Sequence, residues 1–157
     1  MVRANDGVPV TDADYRGRFM LIYFGFTHCP DICPTELRKM VKALELLAQR
    51  GITSRDVVPV FVSLDPTRDS VLQTRLYVQT FSPHIVGLTG TPEQCQLAAR
   101  AFRVYSSKTN DSDDDYLVDH SIVMYLVDRG GRFQAYYPMS VTAAQLAERI
   151  EAIVSKA

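Results

Sequence analysis

Residues 19–26, FMLIYFGF, are a continuous apolar and aromatic run, the pattern of a strand buried on both faces, and so are expected in the middle of a sheet. From Thr35 to Arg50 the apolar residues Leu37, Met40, Val41, Leu44 and Leu47 recur at three-and-four spacing, and Gly51 supplies the stop; this predicts an amphipathic helix. VVPVFVSL at 57–64 predicts a second buried strand, ended by Asp65-Pro66. Pro59 within it lacks an amide donor, which predicts a local irregularity or an edge-facing position.

Ser70 to Phe81 reads as a second helix and IVGLTG at 85–90 as a short strand closed by glycine. Thr91-Pro92-Glu93 predicts a helix start with Thr91 as N-cap and Pro92 at the first helical position; that helix carries Cys95, Leu97, Ala98 and Phe102. After Val104-Tyr105 comes the polar stretch KTNDSDDD, then YLVDHSIVMYLVD as one long strand candidate. Gly130-Gly131 turns it into FQAYY as a hairpin, and a last helix is expected from about Thr142 to Ser155.

This order is α/β, with one mixed sheet covered by helices on both sides: crossover helices make the early strands parallel, and the Gly-Gly turn makes the last pair antiparallel. A cysteine pair just after an early strand, with a terminal hairpin and helix, is the layout of a thioredoxin-like fold. Loops at the carboxyl ends of such strands are where sites are built.

Composition narrows the function classes. The 157 residues, 46% hydrophobic, are expected to form one domain over 1–157 with a sizeable core. Lys and Arg number 17 against 18 Asp and Glu, so the net charge of −1 offers no general attraction to nucleic acid or acidic lipid. No apolar run reaches the roughly eighteen residues of a membrane span, and MVRANDGVPV lacks the apolar centre of a signal peptide. Two expectations remain for the ends: a cytosolic protein, or a soluble domain excised from a longer precursor.

The three cysteines divide by position rather than by count. Cys29 and Cys33 lie in THCPDICPTEL, directly between the first buried strand and the first helix. A helix beginning at Pro30 would drive the Pro34 ring into the carbonyl of Pro30, so the helix is expected to begin at about Pro34, with Cys33 near its N-cap. Amides and the positive helix end there favour the thiolate, the form that attacks disulfides and binds metals. A compact CPDIC loop can close a disulfide or hold one soft cation, and the plain alternative is a pair of buried small side chains. Cys95, on the apolar stripe of a helix, is expected to be an inert core thiol.

His120 is expected at the mouth of a buried strand, facing the cysteine loop if its strand neighbours the first one; alone, it reads equally as a satisfied polar residue. His28 and His84 rank below it, the first because its direction should oppose that of Cys29, the second because it sits in a Ser-Pro-His turn. Asp111, Asp113, Asp114 and Asp115 are four carboxylates in five positions; taking them from the net −1 leaves +3 over the rest of the chain. A solvated loop is the default, and steering of a cation or basic partner toward His120 is the second expectation.

FGFTHCPDICPTEL, then SLDPTRD at 63–69, then YLVDHSIVMYLVD resemble the Sco/SenC proteins, and VTDADYRGR with the terminal helix extends the resemblance over nearly the whole chain. The resemblance implies a thioredoxin-like fold and copper bound by Cys29, Cys33 and His120, with Asp65 near the metal. It implies delivery of copper to the copper A centre of cytochrome c oxidase subunit II, with another copper carrier or a thiol reductase as further partners. It also implies a monomer on the periplasmic side of the bacterial inner membrane, or on the mitochondrial inner membrane facing the intermembrane space. The family's usual membrane-anchoring N-terminal helix is missing, so the chain resembles an excised soluble domain.

Two thiolates and an imidazole suit Cu(I), and hold Cu(II) with a further oxygen ligand. Zinc would accept Cys₂His, but a structural zinc site wants four protein ligands and no fourth is evident. The competing reading is a thiol:disulfide oxidoreductase with Cys29 and Cys33 as its redox pair, although the three-residue spacer differs from Cys-x-x-Cys and such an enzyme has no evident need of His120. A peroxidase is disfavoured because the Pro-x-x-x-Thr-x-x-Cys arrangement is absent around Cys29.

Overall fold

A computed structural model describes residues 1–28, 32–104, 106–108, 118–120 and 122–157. The chain opens with two short strands, β1 (Val2–Arg3) and β2 (Val8–Pro9), and a 3₁₀ turn at Asp12–Tyr15. Then follow β3 (Phe19–Gly25), α1 (Ile32–Ala48), β4 (Val57–Ser63), α2 (Val71–Phe81), β5 (Val86–Thr89) and α3 (Pro92–Ala101). After α3 come β6 (Ser106–Lys108), β7 (Val118–His120), β8 (Val123–Val127), β9 (Phe133–Pro138) and α4 (Ala143–Val154).

Seven strands form one sheet in the order β2-β1-β5-β4-β3-β8-β9. β3, β4 and β5 are parallel, while β8 runs antiparallel to β3 and β9 to β8, the mixed sheet expected from the crossover helices and the glycine turn. Every residue of β3 and β4 is buried, because alternate side chains enter two separate cores. Phe19, Leu21 and Tyr23 pack with Leu37, Met40 and Leu47 of α1 and Leu146 and Ile150 of α4. Met20, Ile22 and Phe24 face the other way, toward Ala99 of α3 and Val104. Phe24, Phe102 and Tyr125 close that second core, with ring centroids 5.3 to 6.0 Å apart.

Helix starts follow local chemistry. Ser70, Thr91 and Thr142 each accept a hydrogen bond from the amide three residues on, and the last two form capping boxes with Gln94 and Gln145. At α1 the structure corrects the sequence reading: the helix begins at Ile32 rather than at about Pro34, which puts Cys33 inside the first turn. Pro34 is tolerated because its missing N–H belongs to the first turn, where amides have no intrahelical acceptor.

Three further differences have physical causes. Pro59 sits in regular parallel register with Leu21 in a central strand, but the β4–β5 ladder begins only at Val60↔Val86, so that ladder does not call on its absent donor. The candidate strand YLVDHSIVMYLVD is two strands: β7 pairs with β6 in a separate two-stranded ribbon, and only β8 joins the main sheet. β1 and β2 were not expected at all; β1 pairs antiparallel with β5 and extends the sheet by its edge.

Candidate metal centre

The carboxyl end of β3 carries the cysteine segment. Cys29 lies outside the described residues; Cys33 is wholly buried in the first turn of α1, and the Tyr23 hydroxyl donates to its Sγ at 3.6 Å. Gly25 makes this approach possible. A Cβ on it would stand 2.8 Å from Cys33 Sγ and 3.1 Å from Phe61 Cε2, so the absence of a side chain is what lets α1 seat its thiol on the strand. The first turn of α1 also places Cys33 at the positive end of the helix dipole.

His120 is placed by its backbone at the end of β7, opposite Ser106. It ends the ribbon three residues before β8, a largely buried strand that neighbours β3, as the sequence reading required. Met124 of β8 pairs with Tyr23, so β8 starts at the carboxyl end of β3, the end from which the cysteine segment leaves. The acidic run Asp111 to Asp115 lies outside the described residues.

Asp65 stands in the loop after β4, tied to β3 by the Leu64 amide donating to Gly25 O at 2.7 Å. Its carboxylate is buried and paired with the Arg68 guanidinium, Nε to Oδ2 at 2.6 Å, while Arg68 lies over the Phe26 ring at 5.9 Å. Glu36, one turn into α1, is also buried and is paired with Lys39 at 3.0 Å; burial raises its carboxyl above the usual range.

Asp69 is the residue that sequence reasoning passed over. Its carboxylate is fully buried and accepts from the Thr27 amide at 3.1 Å, the Thr27 hydroxyl at 2.6 Å and the Ser63 hydroxyl at 2.8 Å. Burial pushes this carboxyl up, opposed by the hydrogen bonds from Thr27 and Ser63. It was visible only as the last letter of SLDPTRD; an aspartate in a turn before a helix is ordinarily a solvated cap, and nothing local marks it otherwise.

The SCO1/SenC family model matches residues 2–155. The chain belongs to the SCO1/SenC family. It is 50% identical over 133 residues to the mitochondrial SCO1 homolog 1 of Arabidopsis thaliana, which covers 85% of this chain and 39% of that protein. The chain spans about half, or less, of the length of the curated relatives it matches. Among solved structures, copper-bound ScoI of Arabidopsis thaliana superposes with a TM-score of 0.93 at 44% identity, over 99% of this chain and 95% of that one. Copper-bound yeast Sco1 superposes with a TM-score of 0.90 at 35% identity, over 99% and 86%. The thioredoxin-like SCO1/SenC fold is therefore this chain's fold.

Within this SCO1/SenC chain the remaining candidates separate clearly. Cys95 is buried on α3, and burial pushes its thiol up to about 11, far from thiolate chemistry at neutral pH. His84 is exposed in its turn, its amide donating to Ser82 Oγ at 3.1 Å. His28 is half-exposed, with Nδ1 3.2 Å from Thr27 Oγ1 and 3.9 Å from Asp69 Oδ1. None of the described helices is long and apolar enough to cross a membrane.

Proposed function

We propose that this chain binds one copper ion through the Cys29 and Cys33 thiolates and the His120 imidazole and acts as an assembly factor, delivering the metal to the copper A centre of cytochrome c oxidase subunit II. The observation that carries the reading is the seat of Cys33: a thiol in the first turn of a helix, under a phenol donor, at the sheet end from which β8 and the His120 ribbon depart. Copper in the similar Arabidopsis and yeast structures supports it.

The donor set suits the metal. Two thiolates and an imidazole are soft to borderline, appropriate to Cu(I), and hold Cu(II) with a further oxygen ligand. Transfer proceeds by ligand exchange: an incoming partner thiolate bonds to copper as the bond to Cys29 or Cys33 breaks, His120 then leaves, and a second partner ligand displaces the remaining thiolate. The helix end stabilises the departing thiolate, so both states of the exchange remain accessible. Asp65, held by Arg68, is read as a neighbour of the site rather than a ligand. In this reading residues 1–157 act as one domain on the periplasmic side of the bacterial inner membrane, or in the mitochondrial intermembrane space.

Copper titration of the reduced protein tests the proposal. Wild type is expected to bind one equivalent tightly and to show a thiolate-to-copper charge-transfer band in the Cu(II) form. Cys29→Ser, Cys33→Ser and His120→Ala are each expected to lose stoichiometric binding. Full retention in His120→Ala overturns the three-ligand site. Absence of tight binding, with partner-disulfide reduction that survives His120→Ala, replaces the carrier by an oxidoreductase.

A further inference from the structure

We propose that Asp69 is a positioning residue for copper capture: its buried carboxylate holds the Thr27–His28 turn, which leads into Cys29, against the loop that carries Asp65. This rests on reading Cys29, Cys33 and His120 as the copper site.

Two independent sets of bonds meet at Asp69. Its main chain is locked to the scaffold, with its amide donating to Asp65 O at 2.8 Å and its carbonyl accepting from the Thr89 hydroxyl of β5 at 2.8 Å. Its side chain then reaches the opposite way. Oδ1 takes the Thr27 hydroxyl, Oδ2 takes the Ser63 hydroxyl, and the Thr27 amide lies 3.3 and 3.1 Å from the two oxygens. Ser63 Oγ in turn accepts the Asp65 amide at 3.0 Å, so one carboxylate fixes the residues before the cysteine loop and the residues around Asp65 together.

The hydroxyl of Thr27 carries the constraint one residue further. It has one proton and two lone pairs; it donates to Asp69 at 2.6 Å and so accepts from Gln73 Nε2 at 3.3 Å and from His28 Nδ1 at 3.2 Å. The network therefore assigns the proton to His28 Nδ1 and orients the His28 ring. A turn held in this way does not have to lose backbone freedom when metal binds, so its ordering is not subtracted from the affinity.

A structural role alone would predict lower stability and nothing more. Positioning predicts that copper affinity and the order of the turn change together. In Asp69→Asn the shape is kept, but whichever way the amide lies an NH₂ faces the donors of Thr27 or Ser63. Thr27→Val removes the hydroxyl alone and Thr27→Ser restores it. Two quantities are read: Cu(I) affinity by competition with a chromogenic chelator, and amide hydrogen exchange at Thr27 and His28 in the metal-free protein.

Asp69→Asn and Thr27→Val are expected to bind Cu(I) about 10- to 100-fold more weakly and to exchange these amides about tenfold faster, with unchanged far-ultraviolet circular dichroism. Thr27→Ser is expected to match wild type in both. Wild-type affinity or wild-type exchange in Thr27→Val overturns the proposal, and this pair decides it even if Asp69→Asn does not fold. If wild type itself binds no copper, the copper reading fails separately; the exchange rates then still decide whether Asp69 holds the turn, unchanged rates overturning it.

Discussion

The phenol of Tyr23, at the fifth position of β3, donates to the sulfur of Cys33 in the first turn of α1 across 3.6 Å, and both residues are wholly buried. This contact links the central strand to the helix that carries the thiol. A buried hydroxyl is costly unless it finds a partner, and sulfur accepts better as a thiolate than as a thiol, so the pair supports the ligating form. The phenol sits there because β3 alternates, sending Phe19, Leu21 and Tyr23 toward α1.

Tyr23→Phe keeps the ring and deletes the donor. Loss of one hydrogen bond of about 0.5 to 1.5 kcal/mol is expected to weaken Cu(I) binding by about two- to tenfold and to lower the melting temperature by a few degrees. Chelator competition and thermal denaturation measure the two effects. Unchanged affinity would mean that the phenol serves packing alone.

Gly25→Ala inserts a methyl group where Cys33 Sγ, Tyr23 and Phe61 already converge, with built contacts of 2.8, 3.0 and 3.1 Å. Overpacking of this kind costs about 1 to 3 kcal/mol, read as a lower denaturant midpoint at constant slope. Combining it with Cys33→Ala removes the sulfur that the methyl meets, so the double variant is expected to lose less than the sum of the singles. Strict additivity would contradict the contact.

Asp128 provides a pH dependence of known sign. The Arg132 amide, with that of Gly130 and the Gln134 side chain, holds its carboxyl below the usual value of 3.8. A carboxyl depressed in the folded state contributes stability that is fully present above the unfolded value and is lost as pH falls through the folded one. The melting temperature of wild type should therefore exceed that of Asp128→Asn by a constant margin between about pH 5 and 7, closing below about pH 4. A margin that does not shrink at all as pH falls below about 4 would show that the charge plays no part in the turn.

Much of the fold was legible because its signals are local. Ser70, Thr91 and Thr142 each declare a helix start through a hydroxyl and the amide three residues on. The runs that became β3 and β4 are long and apolar enough to declare central strands. β1 and β2 are two residues each, too short for any periodicity, and exist because the edge of β5 has hydrogen bonds to offer. The break after His120 was hidden because apolar residues continue on both sides of it, Leu117 and Val118 before and Ile122 and Val123 after.

The sequence by itself determined the α/β order, the parallel centre of the sheet, and the chemistry of the cysteine and histidine donors, since these follow from residue type and spacing along neighbouring positions. Only the tertiary structure decided that Cys33 sits within the first turn of the helix beneath Tyr23, and that Thr27, Ser63 and Asp69 share one buried carboxylate. The last two groups are separated by six residues and the first by forty-two, and such a meeting depends on the register of β3 against β4, a relation that no local pattern encodes.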